Sequence, residues 1–171
     1  MAILPIRTYP DPVLSMPCGE IKSLNPKLIQ LGDSMTETLV DSANGIGLAA
    51  PQVGQSVSLV VVDKSPGQEE SSPLCLFNPR IVEMSGEEVR EEGCLSLPDY
   101  FTEVTRATQV VLHALDRDGR PIEIKAEGIL ARCLQHELDH LQGKLLVDHV
   151  SPLKRAMYRK RRLKELKQEG R

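Results

Sequence analysis

Apolar positions recur along this chain with two different periods, and the change from one to the other separates its elements. Leu28, Leu31, Met35 and Leu39 follow Asn25-Pro26 at helical spacing. An Asn cap with proline at the first helical position predicts an amphipathic helix from about 26 to 42, stopped at Asn44-Gly45. Ser58 to Asp63 is a β-branched run and predicts a strand, followed by a polar loop from Lys64 to Pro73. Leu74-Cys75-Leu76-Phe77 and Arg80-Ile81-Val82-Glu83-Met84 predict two short strands around Asn78-Pro79. Thr108 to Leu115 and Pro121 to Glu127 predict a hairpin over Asp118-Gly119. Within it Ile122, Ile124 and Ala126 alternate with Glu123, Lys125 and Glu127, so one face of that strand is wet. Gly128 leads into a second helix, 129 to 142, closed by Gly143.

Two stretches resist either period. Residues 1–23 carry Pro5, Pro10, Pro12 and Pro17, each of which blocks a regular ladder, and are expected to wrap the surface. Gly45-Ile46-Gly47-Leu48-Ala49-Ala50-Pro51-Gln52-Val53-Gly54 is too rich in small residues to pack as an element on its own account. It reads either as a tight helix-to-strand connection or as backbone that comes close to a ligand. The tail opens at Ser151-Pro152-Leu153 like a capped helix, and its Leu153, Met157, Leu163 and Leu166 form a strip too thin to bury fully.

Composition narrows the class. With 171 residues the chain is expected to be one domain, 1–171, with 151–171 as a basic helical extension. Apolar residues make up 40% and aromatic residues only 3%, so the core must be aliphatic. No run of about 18 apolar residues exists, so no membrane span is expected. The opening Met1 to Arg7 is too short for a secretory apolar region, which points to the cytoplasm. Cys18, Cys75, Cys94 and Cys133 show no CxxC spacing, and disulfides are not expected. The net charge of −3 hides an asymmetry. From Ser151 onward nine Lys/Arg stand against two Asp/Glu, a net of +7, which leaves −10 on residues 1–150.

The chemistry gathers in Gln135-His136-Glu137-Leu138-Asp139-His140-Leu141, an H-E-x-x-H run within the second helix. Residues four apart share a helix face, so His136 and His140 can direct ring nitrogens at one ion, and Glu137 can reach a water upon it. A catalytic metal with an open position is expected, since structural sites usually close all four ligands. The fold class is then α+β, with short, mostly antiparallel strands packed around a central metal-binding helix, an N-terminal helix and a C-terminal basic helix. The third ligand is less plain. A metzincin continuation would place a histidine where Leu146 stands, and a thermolysin-type glutamate would have to be Glu165 or Glu169 in the basic tail. Upstream the best candidate is Cys94 in Glu92-Gly93-Cys94-Leu95-Ser96-Leu97-Pro98, where Gly93 lets the chain approach the ion. A single cysteine is otherwise a small buried hydrophobe.

Three segments, G-I-G-L-A-A-P-Q-V-G, E-G-C-L-S-L-P and Q-H-E-L-D-H-L-Q-G, in this order and at this separation, closely resemble the three motifs of the peptide deformylases. The likeness runs from the Pro-rich start to a helical tail like that of the bacterial type 1 members. It implies Cys94, His136 and His140 as ligands of ferrous iron, with zinc, nickel or cobalt as substitutes. It implies Glu137 as general base, and the Gln52 side-chain amide and the Leu95 backbone N–H as oxyanion donors. Gly47 would offer backbone hydrogen bonds to an extended N-formylmethionyl peptide, and Ile46, Ile129 and Cys133 would line a methionine pocket together with His136. A ribosome contact through 151–171 and a monomeric state are expected too.

The chain departs from some members at two places. Phe101 stands where they carry an arginine seven residues after the ligand cysteine, and Arg132 replaces an apolar residue, either edging the pocket or facing solvent. His113 and His149 read as packed or hydrogen-bonded residues, Asp139 as a salt-bridge or solvent residue, and Cys18 and Cys75 as structural. Rival readings are an H-E-x-x-H zinc endopeptidase, a thiol hydrolase with Cys94 as nucleophile and His136 as its base, and an RNA-binding module that explains the tail alone.

Overall fold

The computed structural model describes residues 2–42 and 45–170. Helix α1 spans Pro26–Asp41, with the Asn25 side chain accepting from the Leu28 N–H. It ends on hydrogen bonds from the Ser42 N–H to the carbonyls of Thr38 and Leu39. Asn44, half of the expected stop, lies outside the described residues. Strands β1 (Gly47–Ala49), β2 (Leu59–Asp63) and β3 (Pro73–Ser85) come next. They are followed by β4 (Glu88–Cys94), β5 (Leu97–Arg106), β6 (Gln109–Leu115) and β7 (Pro121–Glu127). Helix α2 covers Gly128–Leu141 and α3 covers Pro152–Gln168.

The strands form a five-stranded antiparallel sheet in the order β1-β2-β3-β6-β7 and a separate β4–β5 hairpin. Alternation in β2 explains why helices cover both faces of the sheet. Val60 and Val62 point into a cluster with Ala131, Leu134 and Leu141 of α2, while Leu59 and Val61 join Met35 and Leu39 of α1. In β7, Ala126 is buried and Glu123, Lys125 and Glu127 are exposed, the wet face expected.

Several expectations need correction. The stretch from 73 to 85 is one strand rather than two, because the Asn78-Pro79 pair sits in a bulge. The register jumps between Phe77 and Arg80, and Asn78 takes a φ of 50°. Its side chain accepts from the Ile21 N–H and donates to the Ile21 carbonyl, which holds the irregularity in place. Gly45 to Gly54 does pack as structure, since Gly47–Ala49 pairs with Val60–Val62 and Leu48, Ala49 and Ala50 are fully buried. Residues 1–23 are irregular but do not merely cover the surface, for Tyr9, Leu14 and Ile21 enter the core. The β4–β5 hairpin was not foreseen, as its charged run hides the alternation that leaves only Leu97 and Val104 as buried apolar residues.

The tail is helical as expected but docks through other residues than its apolar strip. Leu153, Met157 and Leu163 are exposed, while Tyr158 and Arg162 are buried. Tyr158 stacks on Tyr9, packs tilted against Tyr100 and donates to the Pro98 carbonyl; Arg162 donates to the Tyr9 carbonyl and to Thr8 Oγ1. Among the described residues no helix is long and apolar enough to cross a membrane.

Candidate metal centre

Helix α2 lies on the sheet by Ala131, Leu134 and Leu141, and this fixes the direction of the rest of its surface. His136 and His140, one turn apart, present rings 5.1 Å between centroids and inclined by 66°. Cys94 ends β4 at a register shift after Gly93, which turns its side chain toward α2. Cys94 Sγ lies 3.4 Å from His140 Nε2, and ligand atoms of Cys94, His136 and His140 all fall within 4.8 Å of one another.

Around this triad the structure gathers most of the other residues singled out by sequence. Glu137 is only 3% exposed, and burial pushes its carboxyl up to about 7, against the opposing charges of His136 and Arg106. The Gln52 Oε1 accepts from the Ala49 N–H, so its amide N–H group faces the other way, donating to Ser96 Oγ at 3.1 Å and to Cys94 Sγ at 3.6 Å. Gly47 comes so close to α2 that a Cβ there would stand 2.7 Å from both Glu137 Oε2 and Cys133 Sγ. Leu95 follows Cys94 in the turn between β4 and β5. Ile46 is half-buried against the α2 side of the core, and Ile129, in the first turn of α2, is 52% exposed.

The residues fit a divalent cation. One thiolate and two imidazoles suit zinc or ferrous iron. His136 Nδ1 lies 2.9 Å from Glu92 Oε1. An ionised carboxylate only accepts, so Nδ1 carries a proton and Nε2 is the atom left to ligate. Burial alone would lower the metal-free imidazole's pKa, but hydrogen bonding to Cys94 and Glu92 outweighs it and raises the group well above its usual value, so an ion there would take the place of the Nε2 proton. Burial, with the His136 and Arg106 charges, drives the His140 imidazole well below its usual pKa, which keeps it in the neutral form that ligates. Among the described residues Glu137 Oε1 is buried without a hydrogen-bond partner, as suits a base that faces a water.

Sequence reasoning missed the group behind the candidate ligands. Glu92 is buried; it accepts from His136, from Arg106 Nε and Nη2, and from Arg132 Nη1. A signal existed, since Glu92 is an acidic residue two positions before Cys94 in the same segment. Arg132 does not simply face solvent, because Glu92 and two backbone carbonyls hold its guanidinium. Asp139 takes the salt-bridge role foreseen for it, accepting from Arg106 at 2.7 Å and from His149 at 3.0 Å. His113 is hydrogen-bonded to Glu123. The endopeptidase alternatives for a third ligand fall elsewhere. Leu146 is packed in the core and Glu165 pairs with Arg161 and Arg162 on α3.

The family model described as polypeptide deformylase matches residues 3–156. The peptide deformylase of Thermodesulfovibrio yellowstonii is 52% identical over 161 residues, 94% of this chain and 97% of that protein. That of Syntrophobacter fumaroxidans is 48% identical over 98% of each. Among solved structures, a peptide deformylase from Legionella pneumophila is 44% identical with a TM-score of 0.87, covering 99% of each chain. One from Ehrlichia chaffeensis reaches a TM-score of 0.90 at 34% identity, covering 98% of this chain and 99% of that one. With the family matched over nearly all its length and the fold shared with solved members, the chain belongs to the polypeptide deformylase family of hydrolytic enzymes.

Proposed function

We propose that this chain hydrolyses the N-formyl group from the terminal formylmethionine of nascent polypeptides, with Cys94, His136 and His140 holding a divalent metal ion. Ferrous iron is the expected ion, and zinc, nickel or cobalt are its substitutes. One observation carries the reading: a thiol and two imidazoles converge to within 4.8 Å beside a buried carboxylate that has an unpartnered oxygen. A cation held there supplies Lewis acidity, lowering the pKa of water and polarising the formyl carbonyl.

Glu137 acts as the general base. With its carboxyl raised to about 7 it can accept a proton from the attacking water and give it back at neutral pH. The water oxygen bonds to the formyl carbon, the carbon–nitrogen bond breaks, and Glu137 returns the proton to the departing amine. One water is consumed, and formate and a free amino terminus result. The Gln52 amide and the Leu95 backbone N–H are the donors to the oxygen on which charge develops. The bond from the Ala49 N–H to Gln52 Oε1 supports this role, since it fixes the amide with its donors toward Cys94. Strand β1 is at the edge of the sheet, so an extended substrate can add beside Gly47 as a further strand. Its methionine side chain then lies against Ile46, Cys133 and Ile129.

The substrate is borne by the ribosome, and we assign α3 the docking role through its exposed Lys154, Arg159, Lys160, Lys164 and Lys167. Co-sedimentation with ribosomes, weakening as salt is raised, is the result expected of it; no co-sedimentation at low salt removes it.

The deciding experiment is formate release from N-formyl-Met-Ala-Ser by protein purified anaerobically with ferrous iron, beside Glu137→Ala and the N-acetyl analogue. Release confined to the formyl substrate and lost in Glu137→Ala is the expected result. No release from a verified metal-loaded sample overturns the assignment.

A further inference from the structure

We infer that Arg132 is a positioning residue of the metal centre: it clamps the β4–β5 hairpin, which carries Cys94, onto α2, which carries His136 and His140. This rests on the reading of those three residues as ligands. The ligand set is split between two elements that belong to different sheets or layers, so its geometry depends on how firmly the hairpin is seated on the helix. Arg132 stands one helical turn before His136 and reaches the hairpin at three points. Its Nη1 donates to Glu92 Oε2 at 2.6 Å and to the Val104 carbonyl at 2.9 Å, and its Nη2 donates to the Glu88 carbonyl at 2.7 Å. Both strands are thus tied to one side chain. Glu92 is the joint, since it stands two residues before Cys94 on β4 and accepts from His136 Nδ1.

The hydrogen-bond capacity of that carboxylate makes Arg132 more than a redundant partner of Arg106. Glu92 Oε1 accepts from His136 and Arg106 Nη2, and Oε2 accepts from Arg106 Nε and Arg132 Nη1, two donors on each oxygen. Arg106 comes from β5 and cannot tie the hairpin to His136 by itself, although it does reach Asp139 farther along α2. Arg132 is the one that comes from the turn just before the ligands. A planar fork with several fixed donors is needed to meet a carboxylate and two carbonyls together, and lysine has no such fork. Without Arg132 Glu92 Oε2 keeps only its Arg106 donor and the Glu88 and Val104 carbonyls lose their tie to α2, so the hairpin whose Glu92 orients His136 is seated less firmly on the helix.

The test is the dissociation constant of cobalt(II), measured by chelator competition, with the visible absorption of the bound ion as a report of ligand geometry. Arg132→Met, Arg132→Lys and the parent are compared, with Arg117→Ala as control, since Arg117 pairs with Asp33 at the surface. Arg132→Met is expected to bind cobalt roughly tenfold or more weakly with an altered spectrum, Arg132→Lys to fall between it and the parent, and the control to match the parent. If Arg132→Met does not fold, Arg132→Lys alone decides. A melting temperature lowered in the metal-free state, with affinity and spectrum like the parent's, would mean a merely structural role and overturn the inference. Failure of the parent itself to bind cobalt overturns the ligand assignment instead.

Discussion

A Cβ built on Gly47 meets Glu137 Oε2 and Cys133 Sγ at 2.7 Å, closer than non-bonded side-chain atoms stand, and both neighbours belong to a helix that the core holds in place. Gly47→Ala must therefore push the Glu137 or Cys133 side chain aside, and a misplacement of about 1 Å in the proposed base costs roughly 100-fold in rate. The expected outcome is such a fall in kcat/KM on N-formyl-Met-Ala-Ser with little change in melting temperature; activity within twofold of the parent would show that Glu137 is not held where it acts. Glu92 allows a prediction of the other kind. Burial alone would raise its carboxyl, but the hydrogen bonds from His136 and Arg106 outweigh burial and hold it well below the usual carboxylate range. A carboxylate depressed in the folded state stabilises the protein above its unfolded pKa of about 4.3 and loses that contribution as pH falls. In chelator-treated protein the difference in melting temperature between parent and Glu92→Gln should thus be largest near neutrality and shrink below about pH 4. A difference that stays constant with pH would contradict the linkage. The grouping legible in advance was the one that local spacing sets, His136 and His140 one turn apart with Glu137 beside them. Glu92, Arg106 and Arg132 meet across separations of 14 and 40 residues, which no local pattern encodes.

Among the elements, those with a clean period were readable, and those that break the rules of their own period were not. α1, α2 and the β6–β7 hairpin came out within a residue or two of their observed bounds, because cap, apolar stripe and turn agree there. The β4–β5 hairpin was missed because Glu87 to Glu92 carries charge where strands prefer β-branched residues, and Glu91 even faces Glu103. Such a hairpin is held by what lies behind it, the Arg106–Glu92–Arg132 group, more than by strand propensity. β3 was divided at Asn78-Pro79 for a sound local reason that the bulge overrides. Asn78 is well suited to its φ of 50°, and its amide makes two bonds to Ile21. Asn78→Ala forfeits both bonds and puts alanine in a left-handed conformation, a loss of about 2–3 kcal/mol in all. Urea unfolding should show it as a lower midpoint with an unchanged slope, while activity per folded molecule stays near that of the parent. A loss below about 0.5 kcal/mol would mean that the bulge relaxes without its anchor.

Across the whole molecule, charge is divided by position: +7 on residues 151–171 and −10 on the rest. This division was legible from composition, but how the tail attaches to the body was not, since its anchors are a tyrosine and an arginine rather than the leucines. Tyr158 and Arg162 face inward, so deleting the tail would also uncover Tyr9 and Tyr100 and confuse docking with stability. Charge reversal on the outer face avoids this. Lys160→Glu with Lys164→Glu, both at exposed positions, takes the tail from +7 to +3, each reversal removing two units, and touches no buried contact. If α3 meets ribosomal phosphates, this variant should keep the parent's melting temperature and its deformylation of a free formyl peptide. It should lose most of its co-sedimentation with ribosomes, and the residual binding should depend less steeply on salt, because fewer counterions are released on contact. Tyr158→Ala makes the reciprocal case, lowering the melting temperature through lost packing while the outer charges stay in place. Undiminished ribosome binding by the charge-reversed variant, at the same salt and with the same fold, would leave the positive face of α3 without a role in docking.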